Sequence, residues 1–263
     1  MRHTKLFLLF PLTLSGLMMG CAQEAVEVNV FAAASLTETL NAIQEKYEAK
    51  NNVKLVYNFD SSGKLKTQIE NGAACDLFIS AAPKQIKELT ELDKINTETK
   101  IDLLENKVAL AVPDNNPKNV TSITNLFERL SANEEGFILA MGNSDVPVGQ
   151  YTQKIFKHFG VDEATVASQG HITYGSNVKE VTSVVEKAGA ACGIIYQTDA
   201  KSANLTVVDT ATKEMCGQVI YPAALIKNAQ QEQAAKDFLA YLQGEEAMAI
   251  FEGVGFSKIT QLQ

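Results

Sequence analysis

The chain alternates short apolar runs with amphipathic helical stretches, and that alternation limits its possible folds more than any other feature. Val26, Val28 and Val30 recur at every second position and lead into Phe31 and three alanines, the pattern of a strand. Leu36, Leu40, Ile43 and Tyr47 follow at helical spacing, and Ser35 with Glu38 three residues on reads as a capping box. A strand at 53–59, a short helix at 64–70 closed by Asn71-Gly72, and a strand at 76–80 come next. Pro83 then opens a helix at the position proline favours. After an apolar strand at 107–113 and a break at Asp114-Asn115-Asn116-Pro117, a second run of the same kind begins. It has a helix near 123–130, a strand at 136–141, a helix opening at Val148-Gly149, a helix carrying Val178, Val181, Val184 and Val185, and a strand at 192–196. A strand at 219–226 and helices at 230–242 and 245–251 close the chain. Such alternation predicts an α/β fold with mostly parallel sheets flanked by helices. The strands at 107–113 and 219–226 are the candidate crossings between two lobes. Residues 26–107 and 222–263 are then expected in lobe 1 and 108–221 in lobe 2, with the closing helices packed back on the first.

Two strand-to-helix junctions carry the functional signal. Ala32-Ala33-Ala34-Ser35-Leu36 and Phe59-Asp60-Ser61-Ser62-Gly63-Lys64-Leu65 each end an apolar run on small or hydroxylated residues where a helix should begin. Helix starts leave N–H donors unpaired and carry partial positive charge, so two facing each other cradle an anion. Taken alone, Ser35 and Ser62 also read as ordinary helix caps. The leading 20 residues are set apart: Arg2, His3 and Lys5 precede an apolar stretch at 6–17, which reads as an export signal. Without them, 21 basic residues face 31 acidic ones, a net charge of −10, which argues against nucleic acid and anionic membrane surfaces as partners. Past the leader the only arginine is Arg129 and there is no tryptophan, so neither an arginine fork for a carboxylate nor a tryptophan platform for a sugar is at hand.

Catalytic and metal signatures are weak. Cys75, Cys192 and Cys216 form no CxxC or Cys/His cluster, so no structural zinc is expected; a Cys192–Cys216 bridge stays open for an exported chain. His158 lies between Lys157 and Phe159 on a helix, which suits a solvated position. Gly142-Asn143-Ser144-Asp145-Val146 fails as a nucleophile elbow at its last residue, and Ser61-Ser62-Gly63-Lys64 lacks the first glycine of a phosphate loop.

Leu17-Met18-Met19-Gly20-Cys21 resembles a bacterial lipobox, which implies lipidation of Cys21 and an anchor on the outer face of the cell membrane. Across the rest of the chain, Val30-Phe31-Ala32-Ala33-Ala34-Ser35-Leu36, Phe59-Asp60-Ser61-Ser62, Asp76-Leu77-Phe78-Ile79-Ser80-Ala81, Val146-Pro147-Val148-Gly149-Gln150-Tyr151 and Gly193-Ile194-Ile195-Tyr196 together resemble the molybdate-binding proteins of ABC importers. The resemblance implies a two-lobed type II periplasmic-binding-protein fold with the ligand in the interlobe cleft. It implies a monomer that captures molybdate or tungstate and delivers it to an ABC permease, with no cofactor and no catalysis. By motif, the ligand contacts fall on the hydroxyls of Ser35, Ser62 and Tyr196 and on the backbone N–H groups of Val148 and Val178. Val148 replaces the family's usual alanine, a tolerable change where the contact is main-chain. Asp60 stands where the family often has a small residue, so its carboxylate either turns outward or signals a different ligand. A sulfate or phosphate receptor on the same fold is the nearest alternative, and an exported hydrolase the alternative of another class. A regulatory ligand-sensing domain fits poorly with an export signal and no basic DNA-binding helix.

Overall fold

The computed structural model describes residues 24–259; the leader at 1–20 and Cys21 lie outside them. In chain order the first half comprises β1 (Val26–Ala33), a 3-10 turn (Ala34–Leu36), α1 (Thr37–Glu48), β2 (Val53–Asp60), α2 (Ser62–Glu70), β3 (Leu77–Ile79), α3 (Pro83–Glu91), β4 (Ile101–Asn106) and β5 (Val108–Val112). There follow α4 (Ile123–Ser131), β6 (Leu139–Gly142), α5 (Pro147–Phe159), α6 (Glu163–Ser168), β7 (Ile172–Gly175), α7 (Val178–Glu186), β8 (Cys192–Tyr196) and α8 (Gln197–Ser202). The chain closes with β9 (Thr206–Thr210), α9 (Lys213–Cys216), β10 (Val219–Leu225), α10 (Glu232–Leu242), α11 (Glu245–Val254) and β11 (Ser257–Lys258).

These strands form two sheets, ordered β11-β4-β10-β3-β1-β2 and β7-β6-β8-β5-β9, so the molecule is two-lobed. Both sheets are mixed: most strands run one way, as expected, with β10 and β11 in the first sheet and β5 in the second running against them. β1 runs parallel to β2 and β3, and β6 parallel to β7 and β8. β10 is antiparallel to β3 and β4, and β5 is antiparallel to β8 and β9. Apart from the short closing strand β11, the opposed strands β5 and β10 are those through which the chain passes from one sheet to the other, at Lys107 and near Gly217-Gln218. A strand arriving from the opposite lobe has no helical crossover on its own sheet, so the rule that makes βαβ units parallel does not bind it.

The alternation along β1 explains how the first sheet is covered on both faces. Val28, Val30 and Ala32 join a core with Leu40, Ile43, Tyr47 and Phe238, whereas Phe31 joins Phe78, Leu65, Ile69, Ile86 and Leu89 on the other side. Fully burying one such side chain contributes about 1.5–3 kcal/mol, so α1 and α10 on one face and α2 and α3 on the other are held chiefly by these contacts. Among the described residues no helix is long and apolar enough to cross a membrane. Cys75, Cys192 and Cys216 are buried free thiols, so the Cys192–Cys216 bridge does not form.

The capping box at Ser35 is also absent. A 3-10 turn intervenes and α1 starts at Thr37, where no side chain caps it. Thr37 Oγ1 donates instead to the Ala34 carbonyl at 2.7 Å, and Ser35 is turned inward.

Candidate functional site

Six parallel strands end at one place. β1, β2 and β3 of the first sheet and β6, β7 and β8 of the second present their carboxyl ends to a shared cavity, where α/β proteins place ligands. Its volume is only about 10 Å³, and it is lined by Ala33, Ala34, Ser35, Asp60, Ser61, Ser62 and Ala81 from one lobe. The other lobe contributes Val146, Pro147, Val148, Val178 and Tyr196. All five residues singled out from the sequence thus stand around one space.

Each is positioned by a different local device. Ser61, not Ser62, caps α2, accepting from the Lys64 N–H at 3.4 Å. Ser62 occupies the first helical position, fully buried, and its Oγ accepts from the Ala81 N–H at 3.0 Å. That bond uses a lone pair and leaves the hydroxyl proton for a ligand. Ser35 Oγ lies 2.9 Å from the hydroxyl of Tyr221. Tyr196 closes β8 with its ring buried and its hydroxyl donating a long 3.4 Å bond to the Ala81 carbonyl, one readily exchanged for a better acceptor. Pro147 starts α5 and Val148 follows it; Asn177 caps α7 through the Glu180 N–H, so Val178 is its first residue. The first-turn amides of both helices have no intrahelical carbonyl to reach.

Asp60 lines the cavity too. Its Oδ1 accepts from the Ser61 N–H at 2.7 Å and pairs with Lys64 Nζ at 3.4 Å, which offsets part of its charge beside the site. Neither His158 nor His171 lines the cavity. His171 is held between the Phe137 carbonyl at 2.8 Å and Asn133 Oδ1 at 2.7 Å. Among the described residues no group of His, Cys, Asp and Glu could hold a metal ion.

The lobes touch around the site. Gly63 N–H donates to the Asp145 carbonyl at 3.2 Å, Lys64 Nζ donates to Ser176 Oγ at 2.9 Å, and Lys179 Nζ pairs with Glu38 at 2.7 Å. This is a closed arrangement. Sequence reasoning missed these contacts and missed Tyr221 and Asn106. Only the fold brings Ser35 and Tyr221 together, across 186 positions.

Lys179 also pairs at 3.1 Å with Asp199, a buried carboxylate whose oxygens receive no aligned hydrogen bond. Burial pushes the Asp199 carboxyl up from 3.8 to about 6, against the pull of Lys179. Burial lowers Lys179, but the charges of Asp199 and Glu38 outweigh it and the net direction is up. The folded chain therefore holds the Asp199 proton more tightly than the unfolded chain. Its contribution is most favourable below 3.8 and is lost as pH rises to about 6, a change of about 3 kcal/mol. Asp199→Asn is expected to raise the melting midpoint at pH 7 and to flatten the pH 4–6 slope; a lowered midpoint would show that the ion pair outweighs its desolvation.

Comparison with known proteins gives a consistent neighbourhood. Residues 28–257 match the family described as bacterial extracellular solute-binding protein. The chain is 33% identical to a putative ABC transporter substrate-binding lipoprotein of Bacillus subtilis, over 90% of this chain and 88% of that one. It is 32% identical to the molybdate-binding protein ModA of Haemophilus influenzae, over 94% and 95%. Among solved structures, the substrate binding domain of a putative molybdenum ABC transporter from Clostridium difficile superposes with a TM-score of 0.66 at 32% identity, covering 90% of this chain and all of that one. The periplasmic molybdate-binding protein of Azotobacter vinelandii has a TM-score of 0.77 at 18% identity, over 89% and 100%, a likeness of fold alone.

Proposed function

The chain belongs to the bacterial extracellular solute-binding protein family, and from that we propose that it captures molybdate or tungstate between its lobes and hands it to the membrane permease of an ABC importer. The reading rests above all on one observation: three hydroxyls and two helix starts line a single space between the lobes. Molybdate and tungstate are fully ionised at neutral pH and can only accept hydrogen bonds, so a cavity of donors suits them. Bonds from N–H and O–H groups to an anion are the strong kind, and a dry site strengthens them further. The helix starts at Val148 and Val178 add their partial positive charge. Asp60 engages Ser61 and Lys64 through Oδ1 alone, so its Oδ2 is the one carboxylate acceptor in this lining that a protonated oxyanion such as phosphate could use.

The proposed contacts are the hydroxyls of Ser35, Ser62 and Tyr196 and the N–H groups of Val148 and Val178. Capture and release go by hinge motion about the two crossings, without chemistry. The protein is exported, in keeping with its family and leader. Within that, we place it as a monomer held at the outer membrane face through a lipid on Cys21.

A melting panel with each oxyanion tests the ligand, because a solute bound only by the folded form raises the midpoint. Molybdate and tungstate are expected to raise it more than sulfate or phosphate; a large sulfate shift with none for molybdate would overturn the choice. Ser62→Ala is expected to weaken molybdate by about 1–3 kcal/mol, the cost of a hydrogen bond lost to a charged group, as read by calorimetry. An unchanged affinity would remove Ser62 from the site.

A further inference from the structure

We propose that Asn106 and Tyr221 form a one-way hydrogen-bond relay that forces Ser35 to present its proton, not its lone pairs, to the bound anion. The proposal rests on the oxyanion reading of the cavity and names positioning residues for it. The direction is fixed at Asn106, where β4 ends. Its Oδ1 lies 2.8 Å from the Lys107 N–H, which can only donate, so the amide oxygen must face that side. The amide nitrogen then faces the other way, donating to Thr198 Oγ1 at 2.9 Å and to the Tyr221 hydroxyl at 3.2 Å. No flip satisfies all three contacts.

Tyr221 therefore receives a proton from Asn106 and must place its own. It is fully buried, and Ser35 Oγ stands 2.9 Å away. A buried hydroxyl proton left without an acceptor is costly; the Tyr196 hydroxyl also interacts with Tyr221, but Ser35 Oγ is the acceptor at 2.9 Å, and the relay assigns the Tyr221 proton to it. Ser35, having accepted, is left with its proton free, and Ser35 lines the cavity. The order is Asn106 to Tyr221 to Ser35 to anion, each group donating to the next. Ser62 reaches the same state by a shorter route, accepting from the Ala81 N–H.

Asn106, Tyr221 and Ser35 all sit on the first sheet or its β1–α1 junction. The consequence of the relay is selectivity. An oxyanion with no proton finds a donor at Ser35, while one carrying a hydroxyl finds no free acceptor matched to it there. Chains of this kind also polarise one another, which strengthens the last donor.

The test is calorimetry on the whole exported protein at pH 7 with molybdate, selenate and arsenate. Selenate and arsenate are similar in size, but only arsenate is protonated at that pH. Tyr221→Phe is expected to weaken molybdate about tenfold and to narrow the preference for selenate over arsenate, because Ser35 becomes free to accept. In a Ser35→Ala background the same substitution is expected to have little further effect on molybdate. Asn106→Asp, whose side chain can only accept, reverses the relay and provides a second variant should Tyr221→Phe fold poorly; part of its loss should likewise vanish without Ser35. Equal losses from Tyr221→Phe with and without Ser35, or an unchanged affinity and preference, would overturn the relay while leaving the oxyanion reading intact. Failure of the unaltered protein to bind any of the three anions would overturn both.

Discussion

Gly63→Ala is expected to weaken molybdate by about 5- to 150-fold while leaving the melting midpoint of the ligand-free protein unchanged or slightly higher. Gly63 is the second residue of α2, where alanine is a better helix former by up to about 1 kcal/mol. The nearest obstacles to a methyl are all atoms of Asp145. The obstacle lies across the cleft: a methyl there would come within 2.3 Å of the Asp145 carbonyl oxygen and 3.0 Å of its carbon. Both are backbone atoms of the β6–α5 junction, which also carries Val146 to Val148 into the site. Relief is available only by opening the lobes, so the cost, about 1–3 kcal/mol for overpacking of this kind, falls on the closed state alone. Apparent affinity falls by the fraction of closed molecules lost. Calorimetry beside ligand-free melting separates the two effects. An unaltered affinity would mean that the ligand is not held by closure at this contact.

Gly149→Ala provides the contrast, since its obstacle lies within one lobe. A methyl at Gly149 would meet the carbonyl oxygens of Gly142 and Asn143, each at 2.3 Å. The end of β6 and the start of α5 are thus in backbone contact, and the absence of a side chain allows it. No hinge relieves this clash. The start of α5 must move away from β6, taking the Val148 amide with it. The expected result is a loss of about 3 kcal/mol in stability together with loss of molybdate binding. Chemical denaturation and calorimetry on the same sample check both parts. Retained stability with retained binding would mean that this junction is looser than its packing indicates.

How much of this was legible in the sequence follows from what periodicity records. β1 and the helices α1 and α7 stood out because their apolar residues recur with a fixed period, and the buried strands β5 and β8 as unbroken apolar runs. β7 and β9 did not. They are the edges of the second sheet, half-exposed and polar, with Ile172 to Gly175 and Thr206 to Thr210 showing little alternation. The strands that run against the rest were not foreseen, for a different reason. Alternation predicts parallel neighbours only while the chain stays in one lobe, and β5 and β10 are where it changes lobes. At the site, the residues that end strands and start helices were visible as small-residue junctions. Ser35 was given a capping role because Glu38 has the right spacing, but that spacing says nothing of a tyrosine 186 positions away that takes its hydroxyl. Asn106, Tyr221 and the Gly63–Asp145 contact are products of tertiary packing and leave no local trace.

A crystal structure of the protein grown with molybdate tests the central claim most directly. The account predicts a tetrahedral anion touched by the hydroxyls of Ser35, Ser62 and Tyr196 and by the amides of Val148 and Val178, with no cation in contact. An anion seated against a lysine ammonium or a metal ion, or bound away from this cavity, would contradict it.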